Sequence, residues 1–188
     1  MIEVDGMMYR DLERILISRE EIAAKVRELG RQITLDYAGK SPVMLCVLKG
    51  GVVFFTDLVR AVDLPLTMEF MVLSSYGSST KSSGNVKVIK DLDEDIRGKD
   101  VIIVEDIVDS GNTLKALKSM LDNRGAASIR IAALMDKPGA REDRGLTVDY
   151  SCFEIPNEFV VGYGLDYNQL YRNLPDIGVL RPKAFEQE

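Results

Sequence analysis

The chain has 188 residues, 46% of them apolar, which is enough for one substantial core and fits one domain better than two. Its 30 acidic and 24 basic side chains give a net charge of -6, which excludes a basic nucleic-acid footprint across the whole protein. Histidine is absent, so catalysis must run on carboxylates, lysines and backbone groups, without an imidazole base or a histidine metal ligand.

The opening residues 1–5 lack the basic-then-apolar order of a secretion signal, and a cytoplasmic protein is expected. Ser18-Arg19-Glu20-Glu21 reads as a capping box, after which Ile22, Val26, Leu29 and Ile33 recur at helical spacing until Gly39 supplies a stop. The run 43–48 is continuously apolar without alternation, as expected of a central parallel strand covered on both faces. Gly50-Gly51 then turns the chain into a second helix through Phe55, Leu58 and Val62. These apolar runs are separated by Lys49 and are too short to span a bilayer.

Residues 66–73 read as a strand, and the small polar stretch 74–85 as a mobile loop. Strands over 86–89 and 100–104 follow, then a helix over 113–123 stopped by Gly125, and a strand over 129–135. From Val148 onward, strand-like pieces are broken by Pro156, Gly162, Gly164 and Pro175, which predicts a small cap rather than a repeat of the core. Cys46 and Cys152 lie in apolar runs without metal-type spacing and are expected as buried thiols in a reducing compartment. The rhythm of strand, helix and strand predicts an α/β fold: an open, mainly parallel twisted sheet flanked by helices, with a small cap or hood from the terminal segments. A single domain over 1–188 is expected, with about 148–188 contributing the cap.

The chemistry concentrates in residues 101–114, Val-Ile-Ile-Val-Glu-Asp-Ile-Val-Asp-Ser-Gly-Asn-Thr-Leu. Glu105 and Asp106 follow a four-residue apolar run, at the strand end where ligands bind in open α/β sheets. Asp109-Ser110-Gly111-Asn112-Thr113 is a tight turn feeding a helix, so free amides converge at the positive end of the helix dipole and suit a phosphate monoester. Gly111 lets the backbone approach the oxygens, and the Ser110 and Thr113 hydroxyls can donate further hydrogen bonds. Taken alone, the pattern also fits an ordinary helix cap preceded by two solvated acids. The GxxxxGK[ST] pattern of a Walker loop is absent.

This segment resembles the phosphoribosyl pyrophosphate signature of the type I phosphoribosyltransferases. The resemblance implies that Glu105 and Asp106 hold the ribose hydroxyls, and that Asp109, Ser110, Gly111, Asn112 and Thr113 cradle the 5′-phosphate. Asn112 departs from the lysine frequent in that family, which matters little if the backbone amide makes the contact. Leu48-Lys49-Gly50-Gly51 resembles the pyrophosphate loop of the hypoxanthine-guanine branch, and a strained peptide at Lys49-Gly50 is implied with it. Ser74-Ser75-Tyr76-Gly77 is similar to that branch's mobile lid, which excludes water from the reacting sugar. Lys137 resembles the lysine that donates to the exocyclic oxygen of a 6-oxopurine. Residues 153–167 together with Arg172 resemble the purine-binding end. There Phe159 would stack on the base, Val160 would read its edge through backbone groups, Asp166 would help hold a magnesium ion and Arg172 would meet the pyrophosphate. Each segment alone also fits a turn, an exposed loop, a solvated lysine or a core strand; their order along the chain joins them.

The reaction implied by resemblance transfers the phosphoribosyl group of phosphoribosyl pyrophosphate to hypoxanthine or guanine, giving IMP or GMP and pyrophosphate. Mg2+ is the implied cofactor, with Glu105, Asp106 and Asp166 as its protein ligands, and Asp109 is the candidate general base. A homodimer or homotetramer is implied, with no nucleic-acid or membrane partner. Three other readings compete on sequence alone: the same reaction on xanthine or another nucleobase; a nucleotide-sensing regulator that binds nucleic acid, which the acidic balance disfavours; and a binding protein with a decayed site, disfavoured because no expected site position is missing.

Overall fold

A computed structural model of the chain describes residues 7–75, 86–141 and 145–182. In chain order the elements are β1 (Leu12–Ile17), α1 (Arg19–Asp36), β2 (Val43–Leu48), α2 (Val52–Ala61), β3 (Thr67–Ser75), β4 (Val86–Lys90), β5 (Asp100–Val108), α3 (Asn112–Asn123), β6 (Ser128–Asp136), β7 (Tyr150–Glu154), β8 (Val160–Val161) and β9 (Ile177–Leu180). Short 3-10 turns lie at Met7–Asp11 and Pro138–Ala140.

Six strands form the main sheet in the order β4-β3-β2-β5-β6-β7, parallel throughout except for the β3–β4 pair. Because side chains alternate along a strand, β2 and β5 supply both faces of the core at once. Met44, Cys46, Ile102 and Val104 pack with α1 and α2, whereas Val43, Leu45, Val47, Val101 and Ile103 pack with α3. That double coverage explains why these strands read as unbroken apolar runs. Phe54, Phe55 and Leu58 of α2 are fully buried, each contributing roughly 1.5–3 kcal/mol.

The capping box forms as the sequence predicts: the Glu21 amide donates to Ser18 Oγ at 3.3 Å, and the Ser18 amide donates to Glu21 Oε2 at 2.9 Å. Helix α1 ends at Asp36, short of Gly39.

The structure corrects the sequence reading in three places. Strand β5 does not stop at residue 104 but runs to Val108, because β6 keeps pairing with it through Glu105↔Ala133, Ile107↔Met135 and Val108↔Asp136. Ser74 and Ser75, assigned to the lid loop, close β3, where they pair with Lys87 and Val86. Tyr76, Gly77 and the rest of the expected lid lie outside the described residues. Tyr150–Glu154 is the outermost strand of the main sheet, so only the part of 148–188 beyond it enters the cap.

The cap is a three-stranded antiparallel sheet in the order β1-β9-β8, drawn from both ends of the chain. Strand β1 gave no periodic signal because only Leu12 and Ile17 of its six residues are buried. Asp176 fastens the cap to α1: its carboxylate accepts from the Tyr9 hydroxyl, from the Arg19 amide at 2.7 Å and from the Arg19 guanidinium at 3.0 Å. Among the described residues no helix is long and apolar enough to cross a membrane.

Candidate active site

Strand β2 stays beside β5 only as far as Cys46↔Val104. Glu105 and Asp106 therefore stand where β5 has lost one neighbour and the chain after β2 has turned away. Glu105 is half-buried, yet its Oε2 is shielded from solvent and has no hydrogen-bond partner among the described residues. Burial, and then the adjacent Asp106 charge, push its pKa well above the usual carboxylate value. Asp106 is also raised: burial outweighs the backbone amides it accepts from, that of Ile107 at 2.7 Å among them, and the nearby Arg172, while Asp166 adds to the rise. A shielded carboxyl oxygen left without a donor is where a ligand hydroxyl or a cation gains most.

The turn that follows is open to an anion. Gly111 adopts φ 81°, and α3 starts at Asn112 without a side-chain cap; the Asn112 amide makes a long 3.5 Å contact with Ser110 Oγ, and the amides of such a first turn are the groups that bind anions. Glycine is favoured at 111 because an added Cβ would strain the left-handed backbone, and it would also push on the Leu146 side chain at 2.8 Å from Cδ2. Asp109 and Thr113 are exposed at the mouth of this turn.

Lys137 is brought beside the turn by its amide, which donates to Val108 O at 2.9 Å. It is only 7% exposed, which removes the solvated-lysine reading. Its neighbour Asp136 pairs with Arg141, which also donates to Leu146 O at 2.7 Å. The loop after β6 is thereby tied to the residue packed on Gly111.

The segment after β2 forms the opposite wall. The cis peptide lies at Leu48-Lys49, one bond before the Lys49-Gly50 peptide singled out from sequence. A Cβ on Gly50 would sit 1.7 Å from Asp106 Oδ2, and one on Gly164 (φ 104°) would sit 2.1 Å from Gly50 O. Two glycines are what allow the loop, the acid and the cap to touch. Arg172 then donates to Gly164 O at 2.7 Å and pairs with Asp166 Oδ1 at 2.7 Å. Lys49, Gly50, Asp106, Asp166 and Arg172 thus form one continuous wall. Phe159 is half-exposed and meets Tyr167 edge to face, with centroids 5.9 Å apart. Val160 buries its side chain, and β8 is the outer strand of the small sheet, paired through Val160↔Val179. Among the described residues no three His, Cys, Asp or Glu side chains converge as a group that could hold a metal ion.

Sequence reasoning missed two contributors. Gln169 accepts from both Lys49 and Arg172 at 3.3 Å, and the Tyr163 hydroxyl donates to Asp57 of α2 at 2.6 Å. The glycines flanking Tyr163 were the available signal, since Gly162 and Gly164 both adopt positive φ.

Residues 15–168 match the phosphoribosyl transferase domain family. The chain is 50% identical over 181 residues to the hypoxanthine-guanine phosphoribosyltransferase of Streptococcus thermophilus, covering 96% of this chain and 100% of that one. It is 51% identical over 180 residues to the Bacillus subtilis protein of the same name, covering 96% and 99%. A crystal structure of a hypoxanthine phosphoribosyltransferase from Staphylococcus aureus superimposes with a TM-score of 0.94 at 45% identity, covering 97% of this chain and 99% of that one.

Proposed function

The chain belongs to the phosphoribosyl transferase family, and from that premise we propose that it is a purine-salvage enzyme. It transfers the 5-phosphoribosyl group of phosphoribosyl pyrophosphate to hypoxanthine, giving IMP, and to guanine, giving GMP, with release of pyrophosphate. The observation that carries this reading is the unpartnered, buried Glu105 Oε2 on the strand that runs directly into the uncapped Gly111 turn. Acceptors for sugar hydroxyls and donors for a phosphate sit on one continuous piece of backbone.

In this reading Glu105 and Asp106 accept from the ribose hydroxyls, and the amides and hydroxyls of 109–113 hold the 5′-phosphate. Lys49, Gly50 and Arg172 bind the pyrophosphate. Phe159 stacks on the base, Val160 meets its edge through the open side of β8, and Lys137 donates to the exocyclic oxygen. Lys137 has three donors and no acceptor, so it favours a carbonyl over an amine. Holding both substrates in line supplies much of the rate, while the bond from the anomeric carbon to pyrophosphate breaks ahead of bonding to the base. Asp109, exposed at the turn, takes up the proton that the purine ring loses.

The donor set suits Mg2+ held jointly with substrate oxygens: one or two carboxylates from Glu105, Asp106 and Asp166, with retained waters, rather than an all-protein cage. When bound, the ion neutralises charge on the departing pyrophosphate. Cys46 and Cys152 are free and buried, and burial pushes each thiol up to about 12, consistent with inert thiols in the cytoplasm. A homodimer or homotetramer completes the proposal, with light scattering as its check.

The test is incubation of the protein with phosphoribosyl pyrophosphate, Mg2+ and each of hypoxanthine, guanine, xanthine and adenine, with chromatographic detection of nucleotide. IMP and GMP are expected, and no AMP. Turnover of xanthine or adenine alone overturns the base assignment, and absence of any nucleotide overturns the reaction.

A further inference from the structure

We infer that Gln169 is a positioning residue that holds Lys49 and Arg172 converged on the pyrophosphate subsite, an inference that rests on the proposed phosphoribosyl transfer. Its Oε1 accepts from Lys49 Nζ and from Arg172 Nη2, each at 3.3 Å, so the two cationic nitrogens are at most twice that distance, 6.6 Å, apart. Two cations so close repel one another; Arg172 is also anchored by Gly164 O and Asp166, so the part left to Gln169 is to bring the Lys49 ammonium up to it. A carboxylate between them would hold them but cancel charge needed by the ligand. A neutral amide oxygen holds Lys49 beside Arg172 without adding a second negative charge to that of Asp166.

A second observation is independent of these contacts. Tyr167 and Leu170 pair across a two-residue turn, with amide-to-carbonyl distances of 3.2 and 2.9 Å. Both central residues have positive φ, 49° at Asn168 and 68° at Gln169. Turns of this kind favour Asn followed by Gly. Glutamine thus occupies a position where glycine would be more comfortable, and the turn is pinned in register by Asp166 Oδ2, which accepts the Gln169 amide at 2.8 Å. Asp166 in turn pairs with Arg172, so turn, acid and guanidinium form one unit. The side chain is exposed and takes no part in the core. What it gains by standing there is the pair of cations.

The backbone preference makes the test clean, because Gln169→Gly removes the acceptor and relieves the turn together. We expect an unchanged or higher Tm. Losing a tether of two hydrogen bonds to charged donors should weaken magnesium pyrophosphate binding, measured by calorimetry, and raise KM for phosphoribosyl pyrophosphate, each by about tenfold. KM for hypoxanthine should stay within roughly twofold, an energy difference of only a few tenths of a kcal/mol. Gln169→Met, similar in length but without the acceptor, should give the same loss, and Gln169→Glu at least as large a one because its charge competes with the ligand. Pyrophosphate affinity within roughly twofold of the parent in any of the three variants overturns the inference and leaves the transferase reading standing. If the parent forms no nucleotide at all, both fall.

Discussion

The two walls of the site are built in different ways. The wall on β5 is contiguous: apolar strand, two acids, turn and helix follow one another from Val101 to Leu114, held in the parallel sheet by β2 as far as Val104 and by β6 as far as Val108. The wall in the cap is assembled from afar, with Asp166 and Arg172 set against Lys49 and Gly50, and with β1 paired to β9 across nearly the whole chain. It is fastened by side-chain hydrogen bonds, among them Tyr171 to Asp11 at 2.8 Å and the Asp176 cluster, together with apolar contacts of Ile17, Val160, Ile177 and Val179 in the core shared with α1 and α2 and a small cluster of its own around Leu12, Val161, Leu174 and Leu180. The contrast teaches a division of labour. In the proposed reaction the sugar and its 5′-phosphate would be met by one contiguous segment, while the purine and the pyrophosphate would be met by residues that long-range contacts bring together.

Substitutions on the two walls should therefore fail differently. The largest effect is expected at Asp109→Asn, which should lower kcat by about 10²–10⁴-fold with Tm unchanged, in line with loss of a general base; a kcat equal to that of the parent would remove Asp109 from that role. Lys137→Met keeps volume in a buried position but removes the donors, and should lower kcat/KM for hypoxanthine about a hundredfold while narrowing its ratio to adenine. A substrate panel reads both quantities.

In the cap the loss should appear as stability. Asp176→Ala leaves the Tyr9 hydroxyl and the Arg19 amide without their acceptor, and thermal melting should report a loss of about 2–3 kcal/mol. Burial by itself would raise the Asp176 pKa, but the Tyr9 hydroxyl, the Arg19 amide and the Arg19 guanidinium together hold it below the ordinary value. A carboxylate depressed in the folded state binds fewer protons there than in the unfolded chain. Its stabilisation is therefore complete above about pH 4 and disappears as pH falls through the lower, folded value. Melting curves taken downward from pH 5 should show this loss in the parent and a flatter profile in Asp176→Asn. The smallest effect is expected at Tyr163→Phe. It frees the cap from Asp57, which lies exposed to water, and should cost about 1 kcal/mol or less, with KM for phosphoribosyl pyrophosphate rising before kcat falls.

The same division governs what could be read from sequence. Glu105, Asp106 and the 109–113 turn were legible because their spacing and the secondary structure that presents them are local. The helices and central strands were legible because burial on one or both faces leaves a period of its own in the residues. Strand β1 was not, since a short outer strand with Ile15 exposed carries no alternation. The extension of β5 to Val108 was hidden for a related reason: Glu and Asp suppress strand propensity, and only pairing with β6 overrides it. By resemblance a strained peptide is expected at Lys49-Gly50, whereas the cis bond lies one peptide earlier, at Leu48-Lys49; a Lys-Gly-Gly run marks a turn without marking which peptide is unusual. Gln169 carried no local signal, because its role exists only once Lys49, distant in sequence, is folded against it.

By itself, then, the sequence determined the α/β class, the glycine turn that opens α3, the acid pair before it and the lack of histidine. Each is set by residue type and short-range spacing. Tertiary structure alone decided that Glu105 Oε2 is shielded from solvent, that Gly50 and Gly164 let loop and cap meet, and that Lys49 and Arg172 share one neutral acceptor. Desolvation and close contact depend on what the rest of the chain brings alongside, and no spacing along a strand encodes that.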